Sequence, residues 1–189
     1  NIPEEVKDVS VGEVKQLMIN GKHYIYSYFF GNQLKDFSIF PKNISDNAKS
    51  LYFKSQYKNY IINQTDNKII PLHYDVIPGA NDKQLTNKNF LLYEDIKKKG
   101  QYNLITCITP HKIFKLDMNT GYMQLYSETK NNLASYFDKD IDELCISGGP
   151  IYIDNKYLVA GHIRKGGWGG LRKTFFYTFD ANYPNKILE

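Results

Sequence analysis

The residues best suited to chemistry in this chain lie close together, between Ser147 and Arg164. The stretch reads Ser-Gly-Gly-Pro, a short alternating run, an Asp-Asn turn, and an apolar run that ends in Gly-His-x-Arg. His162 and Arg164 suit an anion or a hydroxyl-rich ligand, because imidazolium and guanidinium groups donate charge-assisted hydrogen bonds. Gly149, next to Pro150, lets the backbone come close to such a ligand.

The elements that position these residues are predicted to be β-strands, because nearly every convincing segment alternates between apolar and polar residues. Asn20-Gly21, between the alternating runs 14–19 and 22–29, predicts a type I′ hairpin, since both central residues of that turn need positive φ. The sequence around Asp154-Asn155 repeats the pattern, with an apolar residue before the turn and a lysine after it. Further strands are predicted at 49–53, 59–63, 68–74, 102–108, 111–117, 122–126, 149–153, 157–163 and 174–179. Helix signals are weak and confined to 5–9 and 131–137.

Size and composition predict a single domain over residues 1–189, or a segment of one. The 189 residues are 42% hydrophobic and 15% aromatic, enough for a sizeable core. The net charge of +4 is spread along the chain, with one tight run at 97–99, which disfavours nucleic acid as a partner. No apolar run approaches the roughly 18 residues of a membrane helix, so we predict a soluble chain with no membrane partner.

Metal and cofactor chemistry is not indicated by the residue spacing. The four histidines, two cysteines and scattered acidic residues show neither zinc-site nor EF-hand spacing, so no metal and no other cofactor is predicted. Cys107 and Cys145 lie in apolar strand-like runs, where free buried thiols are expected.

The order of several short motifs resembles a known family. The motifs are the run 101–113, Asp-x-Asn-Thr-Gly at 117–121, Ser-Gly-Gly-Pro at 147–150, Gly-His at 161–162 and the aromatic run 174–180. In this order they resemble the five-bladed glycosidase-like β-propellers, above all the mannoside phosphorylase branch and its giant-virus relatives. The resemblance covers roughly residues 100–189 well and the first half loosely. It implies an all-β propeller, with additional blades or a fused glycosyltransferase module as partners.

The resemblance also implies a central funnel that binds carbohydrate. Gly149-Pro150 and His162 fall on the phosphorylase pattern, in which the histidine holds phosphate or a sugar hydroxyl. The xylosidase-type branch carries its general-acid glutamate where this chain has Gly148. A glycine cannot protonate a leaving group, which argues against hydrolysis by that branch's usual route.

Candidate roles follow for individual residues, each with a structural alternative. Glu13 and Glu143 are the candidate catalytic acids. The candidate substrate-binding residues are Lys15, His111, Gly149, His162, Arg164 and Trp168. Glu13 and Lys15 also suit the solvent-facing half of an edge strand, and His111 also suits a ring packed between blades. Trp168 lies in a glycine-rich loop, where an indole can stack on a sugar face or cover the core.

Two functions from different classes remain open at this point. One is a catalytic module for glycan assembly or trimming, acting by glycosyl transfer, phosphorolysis or hydrolysis, with phosphate as a further partner. The other is a non-catalytic β-propeller that binds glycans or proteins. The resemblance to giant-virus proteins also implies a viral or host-cytoplasmic location.

Overall fold

The described part of the chain consists almost entirely of β-strands. The computed structural model describes residues 10–11, 14–19, 21–30, 57–74, 89–137, 143–166 and 170–188. The strands are β1 (Ser10–Val11), β2 (Lys15–Ile19), β3 (Lys22–Phe30), β4 (Tyr57–Asn63), β5 (Lys68–Pro71), β6 (Leu91–Glu94), β7 (Tyr102–Cys107), β8 (His111–Leu116), β9 (Met123–Thr129), β10 (Glu143–Ile153), β11 (Lys156–Lys165) and β12 (Leu171–Asp180). A 3-10 helix spans Leu133–Tyr136. No helix in these ranges is both long and apolar enough to span a bilayer.

The chain divides into two compact units, of which the first comprises residues 1–88 and 116–124. Its described strands β1 to β5 form one sheet in the order β1-β3-β4-β5, with β2 also paired to β3. The predicted first hairpin is confirmed, because Ile19 pairs with Lys22 across the turn and Gly21 has a φ of 72°. Inside this sheet the buried Tyr26 hydroxyl donates a hydrogen bond of 2.6 Å to Asn59 Oδ1.

The second unit comprises residues 89–115 and 125–189. It holds the three-stranded sheet β10-β11-β12 and most of the four-stranded sheet β6-β7-β8-β9. Side chains from both sheets form one hydrophobic core, which combines aliphatic side chains with aromatic rings. Tyr157 stacks on Phe179 with 5.1 Å between ring centroids, and Tyr93 meets Tyr157 edge-on at 5.0 Å. Burying such a side chain fully contributes about 1.5–3 kcal/mol, so this core fixes the two sheets against each other.

The hairpin that carries the Gly-His-x-Arg motif forms as predicted. Ile153 pairs with Lys156, and the turn residues Asp154 and Asn155 have φ of 48° and 64°. Both turn residues therefore lie in the left-handed region that a type I′ turn requires. The two-residue turn fixes the register of β11, and with it the face on which His162 lies.

The all-β prediction is confirmed, and the described strands form three antiparallel sheets. A closed ring of five blades is not found among these strands. The helical signal at 131–137 corresponds to the 3-10 helix, whereas 5–9 and the predicted strand 49–53 lie outside the described residues. Both cysteines are free thiols. The prediction of one domain over 1–189 stays a prediction.

Candidate functional site

Ser147 and His162 are brought together by the pairing of β10 with β11. Ser147 Oγ and His162 Nδ1 share a hydrogen bond of 2.6 Å, and both side chains are half-buried. In the same register His162 lies directly opposite Cys145 on β10 and Thr174 on β12. Directly opposed residues point to the same face of a sheet. A hydroxyl, an imidazole and a second hydroxyl therefore lie on one side of this sheet.

A bulge in β10 shapes the backbone beside Ser147. The register between β10 and β11 shifts between Ile146 and Gly148 and again before Ile151. Gly149 has a φ of 93° and precedes Pro150 through a cis peptide bond. Positive φ is readily adopted by glycine, so the Gly-Gly-Pro sequence is what lets the strand bulge here.

The two faces of the β10-β11-β12 sheet differ sharply. The core face carries Tyr157, Val159, Ile163, Tyr177 and Phe179, all buried. The opposite face, which we call the open face, carries Cys145, Ser147, Leu158, Ala160, His162, Arg164, Arg172, Thr174, Phe176 and Thr178. Arg172 and Thr174 are exposed, and Phe176 is 65% exposed. Polar and aromatic groups thus share this face, which is buried at Cys145 and becomes exposed along β12.

The open face is cationic at one end. Arg164 lies directly opposite Arg172 on β12, and its partner on β10 is Glu143. Two like charges directly opposite each other on neighbouring strands repel and destabilise the sheet. Guanidinium groups donate charge-assisted hydrogen bonds, so this end of the sheet suits an anionic or hydroxyl-bearing ligand.

His111, a predicted substrate-binding residue, lies in the core instead. Its side chain is fully buried, and its ring meets Phe179 at 5.0 Å and Tyr177 at 5.6 Å between centroids. Desolvation lowers the pKa of His111 to about 4, and the backbone of Pro184 offsets that shift only in part. The placement favours the packing role that the sequence left open, because a ring with no exposed surface cannot touch a ligand.

The other predicted residues are distributed as follows. Gly149, His162 and Arg164 belong to the β10–β11 hairpin, as the sequence predicted. Lys15 belongs to the first unit, where its ammonium lies 5.9 Å from the centroid of the Tyr26 ring. The backbone of Glu143 opens β10, and the structure does not describe its side chain. Glu13 and Trp168 lie outside the described residues.

Sequence reasoning missed an aromatic groove along β12. This groove has a volume of about 700 Å³ and is lined by residues 129–133, 136–137, 175–176 and 185–188. Phe137 and Phe175 contact each other inside it, with 4.8 Å between ring centroids. Tyr136 is 75% exposed at the same groove, as Phe176 is at 65%. The signal that could have found it is the aromatic doublet at 175–176. Adjacent residues of a strand point to opposite faces, so one of these two rings has to lie on the face away from the core.

Metal binding has no geometric support in the described ranges. No group of three or more His, Cys, Asp or Glu side chains within them is arranged to hold an ion.

Comparison with known proteins bears on the fold. No family model matches the chain, and no curated protein is similar to it. Among solved structures, the chain is similar to a bifunctional GH43-CE protein of Bacteroides eggerthii, with a TM-score of 0.52 and 10% sequence identity. The likeness is one of fold. It covers 95% of this chain and 19% of the other, so the chain spans about a fifth of that neighbour's length.

This likeness supports the predicted glycosidase-like fold at the level of the all-β architecture. It gives no support to the narrower resemblance to mannoside phosphorylases or giant-virus proteins.

Proposed function

We propose that this chain binds carbohydrate on the open face of the β10-β11-β12 sheet, within a glycosidase-like β-propeller. The observation that carries the proposal is the row formed by Ser147, His162 and Thr174, next to the cationic pair Arg164 and Arg172. Hydroxyl, imidazole and guanidinium groups together both donate and accept hydrogen bonds, as the hydroxyl groups of a sugar require. The fold likeness to a GH43-CE protein makes carbohydrate the favoured ligand class.

Binding without turnover is the favoured form of this function. Gly148 occupies the position where the xylosidase-type relatives carry their acid, and a Cβ added there would meet no atom within 4 Å. A larger residue would therefore fit, so crowding does not explain the missing acid. Asp180, an acidic residue of β12, accepts hydrogen bonds from the backbone N–H groups of Asn182 and Tyr183 and serves a turn.

A catalytic role is the second candidate, and one observation favours it. Glu143 pairs in register with Arg164, so the backbone of this predicted acid lies in the cationic row of the same sheet. Glycosyl transfer or phosphorolysis would use Glu143 or Glu13 as the acid, with phosphate held by His162 and Arg164. Additional blades, or a fused glycosyltransferase module, remain predictions under either form of the function.

The test combines a glycan array with a turnover assay. Wild type, His162→Ala and the control His23→Ala are applied to the array. His23 is an exposed histidine of the first unit, so His23→Ala also removes one imidazole but leaves the open face unchanged. In parallel, phosphate-dependent release of sugar from mannosides is followed for wild type and Glu143→Gln.

Glycan binding that His162→Ala reduces and His23→Ala retains, without turnover, supports the binding function. Phosphate-dependent turnover that Glu143→Gln abolishes supports the catalytic candidate instead. Retention of all glycan binding by His162→Ala would remove the open face as the ligand site.

A further inference from the structure

The charge of the residues that line the aromatic groove determines which ligands it favours. Among the described residues that line it, the charged ones are two lysines, Lys130 and Lys186. Both lysines are exposed, so their ammonium groups can pair with a ligand, and Lys186 also attracts the nearby Asp180 carboxylate. A cationic ligand is therefore disfavoured, and an anionic one is attracted by charge.

The apolar part of the groove suits a flat ligand with a hydrophobic face. Tyr136 and Phe176 keep most of their ring surface exposed, while the contact between Phe137 and Phe175 supplies an apolar lining. Aromatic rings that stay exposed beside a groove gain free energy when a ligand covers them. Pyranose rings offer such a face, because their axial C–H groups form an apolar surface.

The polar side chains of the groove divide into structural and available groups. Asn131 is structural, since its amide nitrogen donates to the Ile108 carbonyl at 2.7 Å and its amide oxygen accepts from the Leu133 N–H. Asn132 makes no side-chain capping bond to the 3-10 helix and is exposed. An exposed amide beside the aromatic rings can bind a sugar hydroxyl.

Phe176 connects the groove with the open face. It lies opposite Ala160 in the register and is therefore the diagonal neighbour of His162. Diagonal neighbours on adjacent antiparallel strands are about 7–8 Å apart. That separation is on the scale of one to two sugar units, so a short oligosaccharide can reach from the groove to His162.

We infer that the aromatic groove binds an acidic oligosaccharide, which stacks on Tyr136 and Phe176 with its carboxylate groups near Lys130 and Lys186. The inference rests on the proposed carbohydrate-binding function and extends it, because it names the ligand class and adds a second subsite. A uronate-containing chain combines the required apolar ring faces with negative charge.

The test is a calorimetric titration of the full chain with two probes, hexagalacturonate and the uncharged mannohexaose. Phe176→Ala and Tyr136→Ala are compared with Tyr183→Ala, a control that removes a 66% exposed tyrosine from outside the groove. We expect each groove variant to weaken hexagalacturonate binding at least about fivefold, and the control less than twofold. Circular dichroism confirms that each variant is folded.

Charge selectivity is tested with the double variant Lys130→Ala/Lys186→Ala. Hexagalacturonate should bind the wild type at least about tenfold more tightly than mannohexaose does, and the double variant should lose most of that preference. The preference should also fall as NaCl rises from 50 to 500 mM. Equal binding of the two probes by the wild type would overturn the acidic ligand class.

Failure of this inference is distinguishable from failure of the proposed function. If His162→Ala weakens hexagalacturonate binding while Phe176→Ala and Tyr136→Ala do not, the groove assignment is wrong and the open face stands. If only the groove variants weaken binding, the groove stands and His162 is no ligand contact. If hexagalacturonate does not bind the wild type at millimolar concentration, the inference is overturned.

Discussion

Gly149 faces the backbone carbonyl of Leu158 so closely that a Cβ built on this glycine would lie 2.7 Å from the Leu158 oxygen. The same glycine has a φ of +93°, a conformation that residues with a side chain rarely adopt. Its neighbour Gly148 has no atom within 4 Å of an added Cβ. The two adjacent glycines of the Gly-Gly-Pro motif therefore differ, because the bulge requires a glycine at 149 and not at 148.

We predict that Gly149→Ala destabilises the protein by about 2 kcal/mol, because it combines backbone strain with a close contact to a carbonyl oxygen. Gly148→Ala is the matched control and should change the free energy of unfolding by less than about 0.5 kcal/mol. Urea denaturation of the two variants measures both values. Equal effects would show that the bulge does not depend on the conformation of Gly149.

Acid should destabilise the protein through His111. In the native state its pKa is about 4, against 6.5 for the free side chain, because burial disfavours the charged ring. The unfolded state therefore binds more protons between these values, and stability is lost as the pH falls from about 6.5 towards 4. The full effect is about 3 kcal/mol, and it is absent above pH 7, where both states are neutral.

The measurement is urea denaturation at pH 4.5, 5.5, 6.5 and 7.5 for wild type and His111→Phe. Phenylalanine keeps an aromatic ring beside Tyr177 and Phe179 and does not titrate. The variant should lose the part of the pH dependence that lies between 4.5 and 6.5. Parallel stability curves for the two proteins would contradict the burial of a neutral imidazole.

Replacing Arg172, which lies opposite Arg164, should raise the stability of the protein and weaken its ligand binding. Arg172→Thr removes one of two directly opposed like charges, so it should raise the free energy of unfolding by about 0.3 kcal/mol at low salt. The gain should vanish in 1 M NaCl, where charges are screened within about 3 Å. The same variant should bind hexagalacturonate more weakly than wild type. A loss of stability at low salt would mean that the two arginines do not repel each other.

Gly161 should control the shape of the aromatic groove. A Cβ added at this residue would lie 2.5 Å from the Phe175 ring, which lines the groove. Gly161→Ala should therefore displace Phe175, cost about 1–3 kcal/mol in stability, and weaken hexagalacturonate binding. Thermal unfolding and calorimetry test the two effects, with Gly148→Ala as the control. If Gly161→Ala lowers stability but leaves hexagalacturonate binding unchanged, then binding does not depend on the position of Phe175.

The alternation of apolar and polar residues along the sequence predicted the strands that bury one face and expose the other. The runs around Lys22 and Tyr157 were placed correctly, because their two-residue turns carry the residues that tolerate positive φ. Strand β6 was missed because Leu91, Leu92 and Tyr93 are consecutive and all buried, so no exposed polar residue alternates with them to mark a period of two. The start of β10 was missed for a related reason, since Leu144, Cys145 and Ile146 form a continuous apolar run.

The candidate site was predictable in part, for equally specific reasons. His162 and Arg164 share a strand and a face, so their spacing alone places them together. The partnership of Ser147 with His162 depends on a bulge whose register the sequence does not determine. The aromatic groove combines segments separated by about forty residues along the chain, and no local pattern links Tyr136 with Phe176.

The central claim, that the open face binds carbohydrate, is tested most directly by a ¹⁵N–¹H NMR titration of the full chain with hexagalacturonate. We expect the largest shift changes at Ser147, His162, Thr174 and Phe176, and hardly any change in residues of the first unit, such as Tyr24 and Ile62. Saturable changes confined to the first unit would contradict this claim.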